Sequence, residues 1–310
     1  MDVVSGFDPL LPFTRAEALE AGITPWQLRG ARFVHLHRNV YVSRRAPRTL
    51  ALRAKAVLKV APPGTVVARD SAALLWGGSV PPVSEIHVRI PAGETFRVAG
   101  VRTHEGPIPA CRVWRGVPVT SPDSTFCDLA ETLDLVQLVV LGDRLVRRGR
   151  TTPARLMSSA DEWTGPRAEL ARRASTLVRE GVDSPPESRL RLLVVLAGLP
   201  EPTVNYIIRD PRTGEWQRRF ELAYEAMRIA IEYEGRQHRD EEEIWAVDID
   251  RREDLDRRSW RVVQVISSGL FDNPLRTLQR IDQARVDRGA APTRFFVEEW
   301  RRYFPGRDVA

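Results

Sequence analysis

Three carboxylates fall within a short stretch of this chain: Glu221, Glu232 and Glu234. They sit on two apolar runs, FELAY (220–224) and RIAIEYE (228–234). Strand side chains alternate faces. Alternation puts Phe220, Leu222 and Tyr224 on one face, with Glu221 and Ala223 on the other. In the second run it separates Ile229, Ile231 and Tyr233 from Ala230, Glu232 and Glu234. A tight turn at Glu225-Ala226 would pair Tyr224 with Met227 and Glu221 with Ala230. Glu232 is then a diagonal neighbour of Glu221, roughly 7–8 Å away between backbones. Like charges so close cost energy, and a hard divalent cation removes that cost. Mg²⁺ uses one or two protein carboxylates plus water and phosphate oxygens. Such a site acidifies a bound water and stabilises charge at phosphorus. The plainer reading is a solvated face of an exposed hairpin.

Other residues could assist. Glu187 follows Ser184 by three, which is a capping box and needs no metal. It is also a candidate metal ligand. His238 follows Gly235 and could orient a water, since imidazole titrates near neutrality. Gln237 is a candidate for phosphate or a metal-bound water. Asp248, Arg251 and Arg252 share one helix face by spacing, so either arginine could hold a phosphate or form an intrahelical ion pair.

These residues need a scaffold. Ser184-Pro185-Pro186-Glu187 opens a helix that runs to about Ala197 and stops at Gly198. Thr203–Arg209 reads as a strand and Asp210–Gly214 as a turn. Strands follow at Trp216–Leu222 and Arg228–Tyr233, then a helix at Glu243–Arg257, a strand at Trp260–Ile266 and a helix after Pro274. The order is αβββαβα. At the other end, Thr14-x-x-Glu17 and Thr24-Pro25-x-Gln27 are two capping boxes separated by Gly22. Phe33–Val42 alternates around Asn39 and reads as a hairpin. Helix, glycine turn, helix, hairpin is the order of a winged helix-turn-helix. Between these ends lies mixed α/β sequence: helices at Leu50–Val60 and Ser71–Leu75, strands at Glu85–Ile90, Val98–His104 and Arg112–Val119, and a helix from Pro122 that carries Phe126, Leu129 and Leu133. His87 and His104 read as satisfied polar residues there, and Cys127 as core. The expected segments are 1–45, 46–150, a helical linker 151–183, 184–290 and a tail 291–310.

The chain has 310 residues, enough for about two domains. No apolar run approaches the ~18 residues of a membrane span, and two cysteines make neither a disulfide framework nor a zinc site. The expectation is a reduced, cytoplasmic protein with no membrane partner, compatible with a homodimer. Net charge is +6, but 45 of 47 basic residues are arginine, as GC-rich coding produces. Distribution says more: residues 1–180 hold 25 basic against 17 acidic, and 181–310 hold 22 against 24. The basic half suits a phosphate backbone.

Residues 184–290 resemble the PD-(D/E)XK nuclease superfamily, and most of all very-short-patch-repair-like endonuclease domains. The matching pieces are PPESRLR, FELAY, RIAIEYEGRQHR, IWAVDIDRREDL and WRVVQV. The resemblance implies a restriction-endonuclease-like αβββαβ core and a Mg²⁺- or Mn²⁺-dependent DNA endonuclease. It maps Glu221 and Glu232 onto the metal-binding pair, Glu187 onto the assisting helix acid, and Glu234 onto the place of the usual Lys or second acid. Glu221 stands where Asp is usual, this region has no lysine, and Gln264 stands where relatives often carry Arg. The first 150 residues resemble the AbiEi-type antitoxin arrangement through FTRAEALEAGITPWQLRGARFVHLHRNVYV, DSAALLWGG and GVPVTSPDSTFCDLAE. That likeness implies an operator-binding winged helix, with Arg29 and Arg32 near DNA and Arg38 in the wing. Together they suggest a DNA-directed endonuclease in repair or phage defence. The alternative is a non-catalytic DNA-binding regulator that keeps a degenerate nuclease fold.

Overall fold

The computed structural model describes residues 7–210, 212–235 and 259–306. The fold is mixed α/β with three sheets among these residues. The chain forms two compact units. One holds the residues up to Thr132 together with Ala154–Arg172; the other holds Leu133–Pro153 and the chain from Arg173 onward. These divisions do not follow the five sequence segments.

The first unit begins with β1 (Phe13–Thr14), α1 (Arg15–Glu20), α2 (Pro25–Arg29), β2 (Phe33–His37) and β3 (Val40–Ser43). Both capping boxes form as the spacing predicts: Thr14 Oγ1 accepts from Glu17 N–H and Thr24 Oγ1 from Gln27 N–H, both at 3.2 Å. Gly22 and Asn39 take the left-handed conformation, at φ 78° and 67°, that their turns require. The strands order β1-β3-β2, and Phe13, Ala18, Leu28 and Phe33 form their core. Next come α3 (Leu50–Leu58), β4 (Val66–Val67), α4 (Arg69–Leu75), β5 (Ile86–Ile90), β6 (Val101–Glu105), β7 (Cys111–Trp114), β8 (Val117–Thr120) and α5 (Pro122–Leu129). The five strands order β6-β5-β4-β8-β7. The single strand expected over Arg112–Val119 is a hairpin. Arg115 and Gly116, at φ 50° and 74°, make the two-residue turn that reverses the chain.

The helix expected to carry Leu133 stops at Leu129. Asp134 then caps a separate helix, α6 (Leu135–Arg147), in a capping box with Gln137. This helix, assigned to the middle region by sequence, belongs to the second unit and packs on the helix Pro185–Leu196. The linker contributes α7 (Pro153–Glu162) and α8 (Ala168–Leu177).

The second unit continues with α9 (Pro185–Leu196), β9 (Thr203–Arg209), β10 (Trp216–Tyr224), β11 (Ile229–Glu234), β12 (Arg261–Ile266) and the helix Pro274–Val286. The sheet order is β12-β11-β10-β9. β11 and β12 are parallel, so the chain must cross over between them. The helix expected at Glu243–Arg257 falls in that connection, outside the described residues.

The β10–β11 register differs from expectation by two residues. Tyr224 pairs with Ile229, not Met227, and Leu222 with Ile231. Glu-Ala lacks the residues that a two-residue turn favours. Glu225–Met227 instead makes one 3₁₀ turn, closed by Arg228 N–H donating to Glu225 O at 2.9 Å, with Arg228 left-handed at φ 51°. A shift of two preserves the facing of each residue. Continued one step, this register sets Glu221 opposite Glu232 rather than Ala230.

Candidate functional site

Glu221 is half-buried on β10, just beyond the last paired residue, Leu222. Its Oε2 accepts the Tyr233 amide N–H at 2.7 Å, so the carboxylate lies against the main chain of β11 beside Glu232. Strict alternation does not run through this point. Phe220 packs in one cluster with Ala223 and Ala230, although alternation assigns it to the opposite face. Asn205 lies on β9 between the partners of Phe220 and Leu222 and has φ 50°. A left-handed residue within a strand rotates the chain locally.

Glu232 lies on β11 opposite Gln264 of β12. Arg218 Nη2 stands 3.5 Å from its Oε2. Glu187 is buried in the first turn of α9. Its N–H donates to Ser184 Oγ at 3.4 Å, as the capping box predicts. Its carboxylate, however, accepts from Asp183 N–H at 3.1 Å rather than from the Ser184 backbone amide that a closed capping box would use. Asp183 in turn pairs with Arg219 at 2.6 Å. Glu234 ends β11 beside Ile266.

Burial is the largest influence on the carboxyls of Glu187 and Glu221. It raises the Glu187 carboxyl above its ordinary range, opposed by the Ser184 and Asp183 contacts. The Glu221 carboxyl is pushed up to about 7 by burial, with the neighbouring Glu187 and Glu232 charges adding to the rise against the Tyr233 hydrogen bond and Arg219. The three acids therefore share one electrostatic neighbourhood. A carboxyl near neutrality can take or give a proton at working pH. Yet among the described residues no group of three His, Cys, Asp or Glu side chains is placed to hold a metal ion. The set Glu187, Glu221 and Glu232 is not a ready three-ligand cage. Glu221 and Glu232 alone still match the hard-oxygen donors that Mg²⁺ takes together with water.

A pH effect follows. In an unfolded chain the Glu221 carboxyl ionises near 4.5, against about 7 here. Between these values the folded protein keeps a proton that the unfolded chain loses. Stability is therefore highest below that window and falls as pH rises through it. In chelator-treated protein, Glu221→Gln should gain on the order of 2 kcal/mol relative to wild type between pH 5 and pH 8. Urea unfolding at the two pH values measures it; equal differences at both would remove this carboxyl from the account.

Arg29, Arg32 and Arg38 are exposed and have no side-chain hydrogen-bond or ion-pair partner among the described residues; the Arg32 guanidinium lies over the Phe33 ring at 5.4 Å. Trp26, beside them on α2, is 77% exposed. Gln237, His238, Arg251 and Arg252 lie outside the described residues. Sequence reasoning missed Arg218, Arg219 and Asp183. The signal was available in the pair Arg218-Arg219 just ahead of Phe220-Glu221.

The histidines meet across β5 and β6. His104 Nε2 is 3.4 Å from His87 Nδ1, which is 3.3 Å from Asp70. Burial, with Arg69 next in effect, holds His104 down at about 4. Cys127 is buried and its thiol is pushed up to about 12 by burial, which suits core rather than a nucleophile.

No family model and no curated protein matches the chain. The nuclease and antitoxin resemblances rest on the residues themselves. Among the described residues, no helix is long and apolar enough to cross a membrane.

Proposed function

We propose that this chain is a divalent-metal-dependent DNA endonuclease. The observation that carries the reading is the Glu221 carboxylate held on the Tyr233 amide of β11 at 2.7 Å, next in sequence to Glu232, whose charge acts on it. The element order from α9 through β12, with β11 parallel to β12, supports a restriction-endonuclease-like core. Glu221 and Glu232 would hold Mg²⁺ or Mn²⁺, which supplies charge stabilisation at phosphorus and an acidified water. Glu187 raises the proton affinity of Glu221 from its buried place on α9. Arg218 counters the charge of Glu232 and would offer a scissile phosphate a cation in a region without lysine.

The reading is tested on the full chain with several DNA forms in Mg²⁺ and Mn²⁺. A second readout is independent of turnover. Mn²⁺ binding at pH 6.5 should release protons into weak buffer, because Glu221 is largely protonated there. Proton release without cleavage would separate metal binding from catalysis. Neither release nor cleavage would favour the non-catalytic DNA-binding regulator, for which the engagement of Glu221 with a backbone amide and of Glu232 with Arg218 is the supporting observation.

DNA contact is assigned to the α1–α2 pair and the β2–β3 hairpin, a winged-helix order. Exposed Arg29, Arg32 and Arg38, without ion-pair partners among the described residues, and the bare Trp26 ring support it. Duplex binding by the full chain should fall steeply with salt. Arg29→Ala with Arg32→Ala should reduce the slope of log affinity against log salt by about 2. An unchanged slope in a fluorescence-anisotropy titration would place the contact elsewhere.

A further inference from the structure

Only two of the chain's 47 basic residues are lysines. Lys55 lies in the last turn of α3 and Lys59 caps its C-terminus. Both line one cavity of about 580 Å³, within the range of small-molecule sites. Much of the remaining wall is apolar, including Leu11, Leu58, Pro62 and Pro118, with bare backbone at Gly64 and Gly116. All of it belongs to the first unit.

The two lysines differ. Lys59 is paired with Glu17. Lys55 is half-buried and has no hydrogen-bond or ion-pair partner among the described residues. Its ammonium packs against the β7–β8 turn: a Cβ at Gly116 would stand 3.3 Å from Nζ. A compact ammonium fits that gap, whereas guanidinium is broader and planar. Partly desolvating a cation without a counter-charge is unfavourable, and an anion in the cavity would offset it.

The geometry points to a binding site for a small amphipathic organic anion, its acid group on Lys55 and its apolar body against Leu58 and the prolines. A carboxylate, sulfonate or phosphate monoester supplies the same contact. A bare inorganic ion does not, because it leaves the apolar wall uncovered.

The scarcity of lysine makes the test specific. Reductive methylation of the full chain with ¹³C-formaldehyde keeps the charges and labels only Lys55, Lys59 and the N-terminal amine. The probe is 8-anilinonaphthalene-1-sulfonate, with inorganic phosphate and uncharged N-phenyl-1-naphthylamine as comparison arms. The resonance assigned to Lys55 by Lys55→Arg should move saturably with the sulfonate. Its affinity should fall at least tenfold in Lys55→Gln, while Lys55→Arg, read by fluorescence, retains part of it. Lys55→Met, which keeps the stem, should lose the same tenfold with near-UV circular dichroism unchanged. An unmoved Lys55 resonance overturns the site. So does sulfonate affinity within twofold of wild type in both neutral variants. Equal binding of the uncharged analogue removes the role of Lys55, and an equal response to phosphate alone leaves an ion contact without an organic ligand.

Discussion

Glu232→Gln should lower Mg²⁺-dependent DNA cleavage by at least about 100-fold while DNA binding stays within a few-fold. Mutating even an outer partner of a metal ligand typically costs about 10–100-fold, and here one of only two proposed ligands loses its charge. The amide keeps the side chain's shape. The Arg218 and Glu232 side chains are 14% and 24% exposed, and weakening their charged contact should cost about 1.5–3 kcal/mol, less than the stability typical of a domain. The like charge beside Glu221 also disappears. The fold should therefore stand, and salt-dependent binding by Arg29 and Arg32 should persist. Glu221→Asp is the informative companion. It shortens the side chain that reaches Tyr233, and it should retain or raise cleavage if the carboxylate is needed at the metal rather than at the amide. Cleavage unchanged in Glu232→Gln would assign any nuclease signal to another site or to a contaminant.

The second large effect is on stability. Arg191 of α9 and Asp143 of α6 form an ion pair at 3.0 Å with side chains 0% and 1% exposed. Arg191 also donates to Leu177 O at 2.9 Å and to Glu201 at 3.1 Å. Burial raises the Asp143 carboxyl, and Arg191 opposes that rise. Arg191→Leu leaves a buried carboxylate uncompensated and should destabilise the second unit by about 3–5 kcal/mol. The double change Arg191→Leu with Asp143→Leu should recover much of that loss, because the stranded charge is gone. Guanidinium unfolding followed by tryptophan fluorescence reads both. A loss below about 1 kcal/mol in Arg191→Leu would mean that α6 is not held to α9 by this pair.

Much of the local structure was legible in residue order. Thr14 with Glu17, Thr24 with Gln27, and Ser184 ahead of Glu187 mark helix starts because a cap's hydrogen bond spans three residues. Asn39 marks a reversal because it tolerates the left-handed backbone, at φ 67°, and the Asp210–Gly214 turn does so because Asp210 Oδ1 accepts from the nearby Arg212 and Thr213 amides. The αβββ order that carries the acids also followed from strand and turn signals. None of this required knowing what packs on what.

The site was decided by contacts that cross the chain. Sequence put Glu221 and Glu232 on neighbouring strands, but the four-residue connection 225–228 set which residues face each other. Hairpin register depends on the turn, and Glu-Ala carries no strong turn preference. Alternation likewise gave no warning of Asn205, whose left-handed backbone lies on the adjacent strand. The rise of the Glu221 carboxyl to about 7 needs Glu187, 34 positions earlier, to be brought near by the packing of α9 against β10 and β11. The placement of α6 in the second unit needs Asp143 to find Arg191, 48 positions away. Composition and periodicity report each segment's own preferences. Burial, ion-pair partners and proton affinity are properties of neighbours that only the folded chain supplies.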